Sequence, residues 1–173
     1  TLEDRARAPS YQAMFRTLID QIAPTPGEPI MDVGCGSGAL DRALARRFGA
    51  GTPITAMDLN QGLLSEAVDL AAAEGLGERI RFVRGSAEAL PFPDASFGSA
   101  FSITVLEECN ATKAIREMMR VVKAGGRVGV VVRAIDMPQW WSFTVPERLR
   151  KTAETPPQSV GKGGVADARL YGM

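Results

Sequence analysis

The stretch Met31-Asp-Val-Gly-Cys-Gly-Ser-Gly38 sets an acid two residues ahead of three alternating glycines, after an apolar run and before an amphipathic one. Glycine lets a backbone turn tightly and lets a ligand touch the main chain, and a helix that begins there offers unpaired N–H groups to an anion. A second acid, Asp58, closes the next apolar run. An acid at that place accepts hydrogen bonds from both hydroxyls of a ribose. Asp58 can also be read as the N-cap of the following helix, a role for which Asn60 competes. Asp32 likewise has two readings: a partner for a ligand's cationic group, or a carboxylate that caps a turn or helix. Together the glycine turn and Asp58 point to a nucleoside ligand, with Leu59 supplying an apolar face for its base.

Two nucleoside ligands have to be weighed. Gly34, Gly36 and Ala39 satisfy the dinucleotide pattern G-x-G-x-x-G/A, which keeps a nicotinamide-dependent oxidoreductase open. Asp32 favours S-adenosylmethionine, because a buried carboxylate is awkward beside a pyrophosphate but suits an ammonium. The turn itself carries no Lys or Arg, and a ligand without a pyrophosphate needs none.

Composition excludes other chemistry. There is no histidine, which removes Ser-His-Asp and Cys-His hydrolysis and imidazole zinc sites. Cys35 and Cys109 cannot make a thiolate metal site by themselves, so no metal is expected and both read as free thiols. A general base must then be a carboxylate, Lys, Tyr, a thiolate or water. Glu107 and Glu108, just beyond the fourth strand, are the nearest catalytic candidates; their other reading is a solvated loop leading into a helix. Lys plus Arg equals Asp plus Glu at 20 each, so no overall field draws the chain to nucleic acid or an anionic membrane. A small-molecule partner is expected instead. The longest apolar runs, such as Val128 to Val132, are far too short to span a bilayer, and Thr1-Leu-Glu-Asp-Arg-Ala-Arg does not resemble a secretory signal. A cytoplasmic location follows as an expectation.

The elements that must position these residues alternate. Tyr11, Met14, Phe15, Leu18, Ile19 and Ile22 repeat at helical spacing behind Ser10, an expected N-cap, and Pro24 to Pro29 breaks the pattern. Strands are expected at Ile30 to Val33, Ile54 to Met57, Ile80 to Val83, Gly98 to Ile103 and Arg127 to Val132. Between them run helices carrying Leu40, Ala43, Leu44 and Phe48, then Leu63, Leu64, Ala67, Val68 and Ala71, then Ile115, Met118, Met119 and Val122. Gly125-Gly126 should stop the last of these. The run of Val and Gly in the fifth strand suits a strand covered on both faces. Such alternation builds parallel βαβ units with right-handed crossovers, an α/β, doubly wound, Rossmann-like sheet with helices on both faces. Ligands of such sheets lie beyond the carboxyl ends of the strands, where strand order reverses.

The 173 residues read as one domain. Residues 1–27 form an N-terminal helix and linker, 28–133 the Rossmann-like core, and 134–173 a substrate-side or lid segment. In that last part Trp140, Trp141 and Phe143 either wall an acceptor pocket or pack on further chain.

From about Glu28 to Val132 the chain resembles the class I methyltransferases, in particular the small-molecule subgroup related to ubiquinone and menaquinone C-methyltransferases. Asp32 to Gly38 matches the acid-x-Gly-x-Gly-x-Gly motif, and Asp58 matches the ribose acid. Gly85-Ser-Ala-Glu-Ala-Leu-Pro-Phe-Pro-Asp-Ala-Ser-Phe97 looks like the segment over the adenine edge. Arg116 to Val128 looks like the helix and glycine turn before the fifth strand, with Ala124 in place of the usual Pro. The resemblance implies S-adenosylmethionine as cofactor, held by Asp32, Gly34, Cys35, Gly36, Gly38, Asp58, Leu59, Ser86, Ala87, Ser102 and Ile103, with Ala87 offering its N–H to the ring. Ser86 stands where most relatives have Asp. Ser102, Ile103 and Thr104 approach the methionine part. Members usually complete the sheet with a sixth strand and an antiparallel seventh; neither is evident here. The implied activity is methyl transfer to a small organic acceptor, with a cofactor-binding module that does not catalyse as the alternative.

Overall fold

Alternation of side chains along a short apolar strand decides which residues meet which helices. In the strand Ile30–Val33 (β1), Ile30 packs on one face of the sheet while Met31 and Val33 pack on the other. Asp32, two residues from Ile30, therefore shares the face of Ile30. The computed structural model describes residues 1–133 and Glu147. Among these, β1 pairs in parallel with β2 (Ile54–Asp58) and β4 (Phe97–Ile103), β2 with β3 (Ile80–Arg84), and β4 with β5 (Val122–Val131). The order is β3-β2-β1-β4-β5, so the chain reverses direction across the sheet between β1 and β4. That is the switch point at which the sequence placed the chemistry.

Helices α2 (Pro9–Ile22), α3 (Ala39–Phe48) and α4 (Gln61–Ala73) cover the Ile30 face through Phe15, Leu18, Ile19, Leu40, Leu44 and Leu64. Helix α5 (Ala111–Val121) covers the opposite face with Met118 and Val121 against Met31, Val33, Met57 and Ala100. Leu44 and Phe101 are fully buried, each contributing of the order of 2 kcal/mol through removal of apolar surface from water. Asn60 caps α4 by accepting from the N–H groups of Gly62 and Leu63, and Asn110 caps α5 by accepting from that of Lys113. Gly49 closes α3. None of the described helices is long and apolar enough to cross a membrane.

Three expectations are corrected. Ser10 is not the N-cap of α2: Ala8 holds that place and Pro9 occupies the first turn, where its fixed φ and missing N–H cost nothing. A further helix, α1 (Leu2–Arg7), precedes it, opened by a capping box in which Thr1 Oγ1 accepts from the Asp4 N–H and the Asp4 carboxylate accepts from the Thr1 amino group. The helix before the fifth strand stops at Val121, and Val122 to Gly126 enter β5 as an irregular lead: Val122 faces Phe97 and Arg127 faces Ser99, so four residues bulge opposite Gly98. A Cβ on Gly126 would strike the Gly98 carbonyl and Val122, which is why the glycine is needed. As expected, β5 is covered on both faces, with Val128 and Val130 packing on the α5 side and Gly129 and Val131 on the side of Leu18 and Ile22 of α2, although its valines stay half-buried at the edge of the described sheet.

Candidate functional site

The turn after β1 is tied to the end of β2. The Gly34 and Cys35 N–H groups both donate to the Met57 carbonyl (2.7 and 2.9 Å), and the Gly36 N–H donates to Asp58 Oδ2 (2.8 Å). Gly34 and Gly36 have φ of 80° and 56°, a region open to glycine and strained for other residues. A Cβ on Gly34 would run into Val105 across the switch point, and one on Gly36 would crowd Leu2 of α1. The glycines thus let the loop after β4 and helix α1 pack closely on the turn. Thr104 in the loop after β4 has φ of 56°, costly for a β-branched residue; its N–H donates to the Val131 carbonyl (2.7 Å).

Above this turn opens a cavity of about 550 Å³ lined by Asp32, Gly34, Cys35, Gly36, Met57, Asp58, Leu59, Ser86, Ala87, Glu88, Ile103 and Thr104, among others. Asp32 is 3% exposed, and its Oδ1 has no hydrogen-bond donor among the described residues. Burial holds its carboxyl well above the usual range, reinforced by the negative charge of Asp41 and Asp58. Asp58 is better served. Besides Gly36, the Asn60 N–H donates to its Oδ1 (2.8 Å), so the side chain is fixed with two of about four acceptor sites left over. It does not cap α4, since Asn60 does. Leu59 is 64% exposed, an apolar side chain left in the open beside the cavity.

The roof comes from residues the sequence reading did not select. Leu2, Arg5 and Ala6 of α1 and Tyr11 and Phe15 of α2 line the far side of the cavity. Helix α1 is anchored by Glu3, whose carboxylate accepts from Ser37 Oγ (2.6 Å) and from Arg42 Nη2 (2.8 Å). Burial works to raise Glu3, yet those two hydrogen bonds and the Arg42 charge hold it below the usual range. Arg42 also donates to the Ser37 carbonyl (2.6 Å) and pairs with Glu74 (3.1 Å). A guanidinium therefore lies beneath a glycine turn that carries no cation in sequence, delivered one helical turn into α3. The signal for α1 was present in the Thr1-x-x-Asp4 capping pattern and in Pro9.

Other selected residues divide. Ile103 and Ala87 line the cavity, and the Ala87 N–H has no acceptor among the described residues. Ser86 lines it too, with Oγ accepting from the Glu88 N–H (3.2 Å). Gly38 and Ser102 are not in the wall: a Cβ on Gly38 would meet Ala67 and Phe82, and Ser102 is fully buried with Oγ donating to the Val33 carbonyl (3.0 Å). The two glutamates also part. Glu107 is buried outside the cavity wall, its Oε1 accepting from the Arg133 backbone N–H (3.1 Å) and Nε (3.2 Å). Glu108 lines the cavity and accepts from Arg133 Nη2 (3.2 Å). Cys109 is half-buried in the wall, its thiol pushed up by burial and by Glu88, Glu107 and Glu108. Trp140, Trp141 and Phe143 lie outside the described residues, as does the rest of 134–173 except Glu147.

Comparison with known proteins agrees with this geometry. The methyltransferase domain family matches residues 31–130. A sterol 24-C-methyltransferase of Gibberella zeae is 36% identical over 126 residues, covering 70% of this chain and 32% of the relative. A ubiquinone/menaquinone biosynthesis C-methyltransferase of Hahella chejuensis is 32% identical over 117 residues, covering 67% of this chain and 47% of the relative. Among solved structures, a 4+2 cyclase superposes with a TM-score of 0.66 at 32% identity, covering 72% of this chain and 47% of that one. The chain spans about a third to a half of the length of these relatives. With five parallel strands in a doubly wound sheet and a family match over more than half its length, the chain belongs to the methyltransferase domain family.

Proposed function

We propose that this chain is the donor-binding part of an S-adenosylmethionine-dependent methyltransferase that acts in the cytoplasm on a small organic acceptor. One observation carries the reading: the glycine turn, a buried carboxylate with an orphaned oxygen and a second acid with spare acceptor sites converge on one cavity at the switch point. These residues fit the donor. Asp32 takes the ammonium, Asp58 the ribose hydroxyls, and the cavity-lining backbone of Gly34 to Gly36 meets the amino-acid tail. Leu59 packs on the adenine, the Ala87 N–H meets the ring, and Ile103 lies along the methionine part. Ser86 already accepts from Glu88, yet its hydroxyl keeps a second acceptor site for the exocyclic amine. Gly38 and Ser102 serve from behind, the first by letting α4 approach and the second by holding the end of β1.

When bound, the donor supplies a methyl group already activated on a sulfonium, so the protein chiefly has to position the acceptor and exclude water. Leu2, Tyr11 and Phe15 close the far wall with apolar surface, and Glu108 is a carboxylate at the cavity placed to accept an acceptor's proton. Glu107 fixes Arg133 and thereby Glu108. The sterol and quinone methyltransferases among the relatives support an acceptor of comparable size and apolar character. A second reading, donor binding without transfer, draws support from the 4+2 cyclase, a close fold neighbour named for a different reaction.

Calorimetry with S-adenosylhomocysteine and with NAD tests the proposal. The expected outcome is saturable binding of S-adenosylhomocysteine and none of NAD at the same concentration. Preferential binding of NAD overturns it.

A further inference from the structure

Asp32 has a buried companion that the donor site does not use. Asp41, on α3, is 0% exposed, and both its carboxyl oxygens, like Asp32 Oδ1, meet no hydrogen-bond donor among the described residues. The two side chains lie side by side between β1 and α3. Asp32 lines the cavity, whereas Asp41 stands behind it, sealed from solvent. Two ionised carboxylates cannot hydrogen-bond each other, and a buried ion without partners is strongly disfavoured. One proton between them replaces repulsion with an O–H···O bond.

The groups that face the pair are few. Asp58 on β2 adds negative potential at Asp32. Cys35 in the glycine turn carries a thiol that burial and the three aspartates keep protonated. On α3, Arg42 attracts Asp41, but its guanidinium is shared among Glu3 of α1, the Ser37 carbonyl and Glu74. β4 brings Phe101 opposite Asp32. Burial raises both carboxyls, Asp41 to about 7.

We propose that Asp32 and Asp41 share one proton in the unliganded chain, and that a ligand ammonium seated on Asp32 drives it out. Binding of an amino-acid-tailed nucleoside is then linked to proton release. The inference rests on the reading of the cavity as a donor site. In the step, the O–H bond of the pair breaks, the proton passes to buffer, and two carboxylates remain beside one ammonium; no electrons move. Affinity therefore rises with pH through the titration of the pair and falls below it. Asp41 is a positioning residue, acting on the ligand through the charge of Asp32.

The test is calorimetric titration of S-adenosylhomocysteine in buffers of different ionisation enthalpy, between about pH 5 and 7, where released protons appear as buffer heat. The expected result is release of at least about half a proton per ligand, with affinity falling up to about tenfold per pH unit on acidification. In Asp41→Asn an amide donates to Asp32 and favours its charged form, so release shrinks and the dependence of affinity on pH weakens. The unliganded chain gives a second readout. The folded pair holds its proton more tightly than the unfolded chain does, so thermal stability declines as pH rises from about 4 through about 7, and Asp41→Asn flattens that decline. Ligand binding without proton release, or equal release in wild type and Asp41→Asn, overturns the inference and leaves the donor site standing. Absence of binding at every pH overturns the donor site and the inference together.

Discussion

Asp58 does two jobs with one carboxylate. It accepts from Gly36 and from Asn60, locking the glycine turn to the end of β2, and it presents its remaining acceptor sites to the cavity. Asp58→Ala is expected to weaken S-adenosylhomocysteine binding by at least ~1 kcal/mol, the scale of lost hydrogen bonds to a charged acceptor. Calorimetry on a folded variant checks this, and unchanged affinity contradicts the ribose role. Asp32 and Asp58 could be read from sequence because their place relative to the glycines has a chemical meaning. Asp41 could not. An acid in the first turn of a helix ordinarily faces the N-terminal dipole and solvent, and only the packing of α3 on β1 shows that this one points inward. Glu3 was illegible for a similar reason: its partners Ser37 and Arg42 lie more than thirty residues away along the chain.

The loop that carries Ser86 and Ala87 is held by an element on the far side of the sheet. From α5, Arg120 donates to the carbonyls of Leu90 (3.0 Å) and Phe92 (2.8 Å) and to Asp94 (2.8 Å), while Glu117 accepts from the Leu90 N–H (2.7 Å). The two side chains also bond each other. They thus clamp the segment that follows Ser86 and Ala87, and Glu88 returns the contact by accepting from the Asn110 N–H (2.9 Å). Arg120→Ala should speed amide exchange at Leu90 and Phe92 by at least about tenfold while α3 and α4 keep their protection, as measured by hydrogen exchange. Equal protection in the variant contradicts the clamp. Sequence pattern located this helix and loop through their apolar spacing and prolines, but a pattern of hydrophobicity carries no sign of which arginine reaches which carbonyl. The lead into β5 was misread for a related reason. Glycines at 125 and 126 signal a stop, and a bulge opposite Gly98 satisfies the same signal.

Across the whole molecule, one alternation governs the site. Because Ile30 and Asp32 share a face with Ile54 and Ala56, the acids near the ends of β1 and β2 rise on the side of α2, α3 and α4, and the reversal to β4 leaves a gap above them. Helix α1 roofs that gap. The order of strands and helices was legible because apolar runs bounded by glycine and proline repeat along the chain. Periodicity could not show the roof, because α1 spans only six residues; only its capping pattern and Pro9 mark it. The most direct measurement is a crystal structure of the chain with S-adenosylhomocysteine. The account predicts the ribose on Asp58, the ammonium on Asp32 and the adenine against Leu59. An empty crevice with the nucleoside bound elsewhere on the molecule contradicts it.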